Sequence, residues 1–108
     1  MKFTYYGHSA FTLSDGQTTL LFDPFITDNP WTSICPTDIA CQYILISHAH
    51  GDHYGDAEAI AKAQDATIIS TAEIAGKAGE VGCKAHAMHI GGSADMPFGK
   101  VRLTPALH

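Results

Sequence analysis

The order of apolar segments predicts an α/β fold, with short strands first and then alternating strands and helices that cover one face of a sheet. Three observations carry this. The N-terminal 22 residues hold short apolar runs divided by a hairpin signal, Asp15-Gly16. Tyr43 to Ser47 (YILIS) is a continuous apolar run of the kind that forms a strand buried on both faces. Beyond it, helix-forming and strand-forming segments alternate, and proline and glycine mark the joints.

In chain order, Lys2 to Tyr6 alternates loosely and Ala10 to Leu13 is a short apolar run; both read as strands. Thr18 to Phe22 returns after the turn as a strand rich in Thr, Leu and Phe. Asp23-Pro24 stops it, because proline cannot donate to a ladder. Phe25 to Asp38, broken by Pro30 and Pro36, is a long loop; such loops often line a site. Asp56 to Gln64 reads as a helix with Asp56 as N-cap and Ile60 inward. Thr67 to Ser70 is a buried strand. Ser70 and Glu73 have capping-box spacing for a second helix that Gly82 can end. Lys84 to Ile90 alternates, Gly91-Gly92 turns the chain, and Pro97 to Leu107 suggests two final strands. Residues 1–108 are expected to form one domain. The chain reaches His108 directly after a predicted strand with no closing helix, which suggests an interrupted domain.

Composition narrows the function. With 45% apolar residues the chain is globular, and no apolar run approaches the roughly 18 residues of a membrane span. Its start lacks the apolar core of a secretory signal, so a cytoplasmic location is expected. A net charge of −5, with only six Lys and Arg and no two adjacent, argues against a nucleic-acid binder. Cys35, Cys41 and Cys83 form no C-x-x-C pair and are expected to be reduced, mostly buried thiols.

The chemistry concentrates in HAHGDHYGD, His48 to Asp56, which holds three imidazoles and two carboxylates in nine residues. These are ligand types that suit zinc and its first-row neighbours. Residues two apart in an extended segment point the same way, so His48 and His50 can grip one ion. Gly51 is expected to let the backbone turn tightly, aiming Asp52 and His53 at a second point close by. One loop then serves two ions about 3.5–4 Å apart, the spacing of two-metal hydrolysis. Asp23 is either a turn residue or the group that orients a ligand histidine. His8 is either a site residue or a buried, hydrogen-bonded histidine. His86 and His89, on opposite faces of a strand, are expected to be structural. Trp31 and Tyr54 are more often packing residues than substrate contacts.

H-x-H-x-D-H after a buried strand resembles the signature of the metallo-β-lactamase superfamily. Tyr6-Gly7-His8-Ser9, Leu21-Phe22-Asp23-Pro24 and Thr104-Pro105-Ala106-Leu107-His108 resemble further segments of its ascorbate-6-phosphate lactonase-like and uncharacterised metal-dependent hydrolase branch. The resemblance implies an αββα sandwich, of which this chain supplies the N-terminal half. It implies two divalent ions, with zinc expected and manganese or iron also suited. His48, His50 and His108 would belong to the first metal, and Asp52 and His53 to the second. Asp52 would also orient the water that attacks an ester, lactone or phosphodiester in a small-molecule substrate. The family's bridging aspartate and last histidine come from later strands, so the missing C-terminal half, or another copy of the chain, is the expected partner. The alternative is a non-catalytic metal-binding fragment or assembly module.

Overall fold

The structure is a computed structural model that describes residues 1–105; Ala106, Leu107 and His108, and with them the expected ligand His108, lie outside the described residues. Strand β1 (Lys2–Gly7), β2 (Ala10–Ser14) and β3 (Thr19–Phe22) form an antiparallel meander. The β2–β3 turn is closed by Asp15, whose carboxylate accepts the Gln17 and Thr18 amides at 2.9 and 2.7 Å. Those two bonds favour the charged form and hold the Asp15 carboxyl below its ordinary range.

Strands β4 (Tyr43–Leu45), β5 (Thr67–Thr71) and β6 (Lys84–Met88) then add in parallel, giving one six-stranded sheet in the order β1-β2-β3-β4-β5-β6. The parallel steps need crossovers, which helices α2 (Ala57–Gln64) and α3 (Ala72–Glu80) supply. In register, Leu21 pairs with Ile44 and Ile44 with Ile68. These three residues point to the helix side and are fully buried with Ile60, Ala57 and Ala78 in the main core. The next residues along, Phe22, Leu45 and Ile69, also pair with one another and face the other way. On that second face a hairpin, β7 (Ser93–Met96) and β8 (Gly99–Arg102), packs Val101, Met96 and Phe98 against Ile69, Leu45 and Tyr43. At the β1–β3 end of the same face, among the described residues, the rings of Phe3, Phe11 and Phe22 form a partly exposed cluster, Phe11 stacked on Phe22 with centroids 4.4 Å apart and Phe3 tilted against Phe11 at 5.3 Å.

Several expected elements differ. The last hairpin lies earlier than Pro97 to Leu107: Pro97 and Phe98 make its turn, because proline donates nothing to a ladder and Gly99 supplies the positive φ of 142°. β6 ends at Met88, so His89 is past the strand, and both His86 and His89 are exposed. Ser70 does not cap α3. It is fully buried within β5 and donates to the Ile46 carbonyl at 2.7 Å, while Thr71 holds the cap position without a side-chain bond. Cys41 and Cys83 are buried thiols, whereas Cys35 is exposed on the proline-bracketed loop.

Candidate metal centre

The motif begins where β4 ends, at the C-terminal edge of the parallel strands. His50 keeps an extended backbone (φ −61°, ψ 145°) and accepts the amides of His53 and Tyr54, opening a single helical turn, α1 (Gly51–Tyr54). Gly51 is an ordinary first helical residue outside the left-handed region, so the turn comes from the helix start and not from glycine's freedom. The glycine that matters is Gly55, at φ 46°, where an added Cβ would lie 2.4 Å from the Pro24 carbonyl oxygen. Asp56 sits at the cap position of α2, yet its carboxylate accepts the Ile26 and Thr27 amides (3.2 and 2.7 Å) and the Thr27 hydroxyl (2.8 Å). It therefore ties the junction of α1 and α2 to the loop after β3 and makes no side-chain capping bond.

That loop carries Asp23, buried and at φ 42°. Its Oδ1 accepts the Ser47 amide at 2.7 Å; its Oδ2 accepts the Ser47 hydroxyl at 2.7 Å and meets His53 Nδ1 at 2.9 Å. A carboxylate oxygen only accepts, so the proton belongs on His53 Nδ1 and the ring's Nε2 lone pair faces outward. Ser47 Oγ, having spent its hydrogen on Asp23, is left to accept from His48 Nδ1 at 2.9 Å. One aspartate thus sets the tautomer of two motif histidines. Ser47 carries no sequence signal for this part.

The structure brings the motif side chains together in two groups that share Asp52. Ligand atoms of His48, His50 and Asp52 lie within 4.8 Å of one another, and so do those of His8, Asp52 and His53. The His48 ring centroid is 4.8 Å from that of His50 and 4.0 Å from that of His53. Donor atoms on one tetrahedral zinc lie about 3.3 Å apart, given bonds of about 2.0–2.1 Å. Imidazole nitrogens and carboxylate oxygens at this spacing fit such an ion with small side-chain adjustments. His8 is neither buried nor inward: its side chain is 39% exposed, and its Nε2 is 3.2 Å from Asp52 Oδ2.

Tyr54, at the end of α1, is buried, donates to Glu58 Oε2 at 2.6 Å and carries Lys77 Nζ 4.5 Å above its ring. Burial and the Glu58 carboxylate push its phenol well above the ordinary range. Trp31 is 78% exposed and its Cβ closes over Gly7, where any side chain would collide with it. An open apolar trough of about 770 Å³ runs from His8 and His48 across the second sheet face, past Phe11, Phe22, Leu45 and Ile69.

This arrangement of a parallel-strand edge, a one-turn helix and a histidine–aspartate cluster agrees with the comparisons. The chain belongs to the β-lactamase superfamily domain family, whose model matches residues 2–106. It is 55% identical over 108 residues to a UPF0173 metal-dependent hydrolase of Natranaerobius thermophilus, covering all of this chain and 49% of the relative. A UPF0173 metal-dependent hydrolase of Bacillus subtilis is 47% identical over 108 residues, with 48% of its length covered. Among solved structures, a metallo hydrolase from the archaeon Ignicoccus hospitalis superposes with a TM-score of 0.87 at 33% identity, over 98% of this chain and 48% of that one. The chain spans about half the length of the curated relatives it matches. Among the described residues, no helix is long and apolar enough to cross a membrane.

Proposed function

We propose that this chain supplies the metal-holding half of a metal-dependent hydrolase whose substrate is a small ester, lactone or phosphodiester. The observation that carries the reading is the pair of ligand groups sharing Asp52 at the edge of the parallel strands. In this reading His48 and His50 hold one divalent ion, Asp52 and His53 a second, and zinc is the favoured metal because imidazole and carboxylate suit it. When bound, the ions supply Lewis acidity and lower the pKa of a water at the site towards neutrality.

The chain's own residues do the rest. Asp23 holds His53 directly and His48 through Ser47, so that each ring presents its Nε2. Asp52, 47% exposed, turns a carboxylate to the open side, where it can orient the attacking water. The shares of relatives covered, and the partly exposed Phe3–Phe11–Phe22 cluster, support a further C-terminal portion packing on the second sheet face.

The test is metal content by elemental analysis, with hydrolysis of a nitrophenyl ester, a lactone and a nitrophenyl phosphodiester measured in parallel. His50→Ala should lower metal content sharply and abolish whatever hydrolysis the chain supports. Unchanged metal content in that variant overturns the assignment. Metal binding without hydrolysis, even with a relative's C-terminal portion added, would favour the assembly-module reading.

A further inference from the structure

The motif loop gives the second ion two protein ligands, Asp52 and His53. A third side chain reaches them from 44 residues away in the sequence. We propose that His8 is a metal ligand, completing with Asp52 and His53 a three-ligand site for a divalent transition-metal ion; this rests on the reading that the motif loop holds metal.

Four observations converge on His8. Its Nε2 is 3.2 Å from Asp52 Oδ2, while His53 Nε2 is 3.8 Å from Asp52 Oδ1. The first distance is close to the edge of a zinc tetrahedron, about 3.3 Å for bonds of about 2.0–2.1 Å. The two contacts use different Asp52 oxygens, but one ligand atom from each of the three residues lies within 4.8 Å of the others, so a modest closure brings them onto one ion. Two imidazoles and one carboxylate, with a fourth position open, are a ligand set that catalytic zinc uses. The ring is also held in place. It stands edge-on to Phe25 and to His53, with centroids 5.7 and 5.0 Å away, and this leaves Nε2 directed at Asp52.

The backbone is built to present the ring. The β1–β2 register slips between Tyr5 and Gly7, and the chain leaves β1 through Gly7 at φ 105° and His8 at φ 54°. Non-glycine residues seldom adopt the left-handed region, and those that do cluster where function requires it. Three bonds hold the bend: the Tyr5 hydroxyl donates to the His8 carbonyl at 2.6 Å, and the Asn29 side-chain NH₂ donates to the Tyr6 and Gly7 carbonyls at 3.1 and 3.4 Å. Trp31 packs so closely over Gly7 that only glycine fits there. An exposed histidine–aspartate ion pair contributes little to stability, so such a pair alone gives no reason for this much fixing.

The test titrates metal-free 108-residue chain with Zn²⁺ against a competing chelator, and with Co²⁺ followed by its visible absorption. Two variants are compared with the natural sequence. His8→Ala removes the ring; His8→Gln retains a hydrogen-bond donor for Asp52 and loses the imidazole ligand. The natural chain should take up two ions. Both variants should keep the His48–His50 ion, bind the other at least about tenfold more weakly and show a changed Co²⁺ spectrum. Circular dichroism of the metal-free forms should show the three folding alike. Two ions with an unchanged spectrum in either variant, or a single natural ion that survives His8→Ala, overturns His8 as a ligand and leaves the motif reading standing. Rescue by His8→Gln alone would make His8 a group that only positions Asp52. A natural chain that binds no ion refutes both readings together.

Discussion

Replacing Asp23 by asparagine tests the organisation of the site with little change of shape. Asparagine tolerates the φ of 42° at this position, so the backbone is not strained by the change. Its carbonyl oxygen can still take the Ser47 amide, now at 2.7 Å from Oδ1. Its NH₂ falls where Oδ2 stood, 2.7 Å from Ser47 Oγ and 2.9 Å from His53 Nδ1, and donates where the carboxylate accepted. His53 Nδ1 must then accept, which moves its proton to Nε2, the atom facing Asp52. Ser47 Oγ, no longer donating to Asp23, turns its hydrogen to His48 Nδ1 and moves that proton in the same way. Hydrogen bonds to a charged group contribute about 1.5–3 kcal/mol each and neutral ones about 0.5–1.5, and all three contacts re-form as neutral bonds, so folding stability should fall by about 1–3 kcal/mol. Metal affinity should fall further in relative terms, by about 10–100-fold, as for other lost partners of ligating histidines. Chelator competition reads the affinity, and long-range ¹H–¹⁵N correlation reads the tautomers of His48 and His53. Natural affinity together with an Nδ1-protonated ring at both positions would refute the relay.

Much of the fold is legible in the sequence because its signals are local. Asp15-Gly16 makes the turn it predicts, and the first three residues of YILIS form the strand that leads into the motif, with Ile46 and Ser47 past its end. Ile60 faces the core as its helical position requires. The misread parts share a cause: the side chain concerned bonds to a residue far away in the sequence. Ser70 looks like a cap because Glu73 follows at the right spacing, but the Ile46 carbonyl on the neighbouring strand claims its hydroxyl. Asp56 does hold the expected cap position of α2, but its carboxylate goes to Ile26 and Thr27 and makes no capping bond. The site divides along the same line. The cluster of His48, His50, Asp52 and His53 lies within six residues and can be read directly. The place of His8 depends on a bulge in β1 and on pairing across three strands, which no local pattern encodes.

Two further outcomes follow from surfaces and buried groups. The 108-residue chain should bind a hydrophobic dye through the Phe3–Phe11–Phe22 cluster, and a relative's C-terminal portion should suppress that signal; a monodisperse monomer that binds no dye would refute the open face. The second concerns Cys41, which is 2% exposed and whose thiol burial pushes from the ordinary 9.0 up to about 11. The folded state thus keeps its proton at a pH where the unfolded chain has lost it. Stability from this group is complete below pH 9 and is lost as pH rises towards 11, because there the unfolded state binds fewer protons. At pH 10.5 the loss amounts to about 2 kcal/mol, from 1.36 kcal/mol per pKa unit. Burial raises Cys83 and Tyr54 as well, so alkaline conditions weaken every form of the chain, and the informative quantity is a difference between variants. Between pH 8.5 and 10.5, urea unfolding of Cys41→Ala should lose about 2 kcal/mol less than the natural chain. Parallel stability curves for the two would show that the Cys41 thiol does not stay protonated in the folded state through that range.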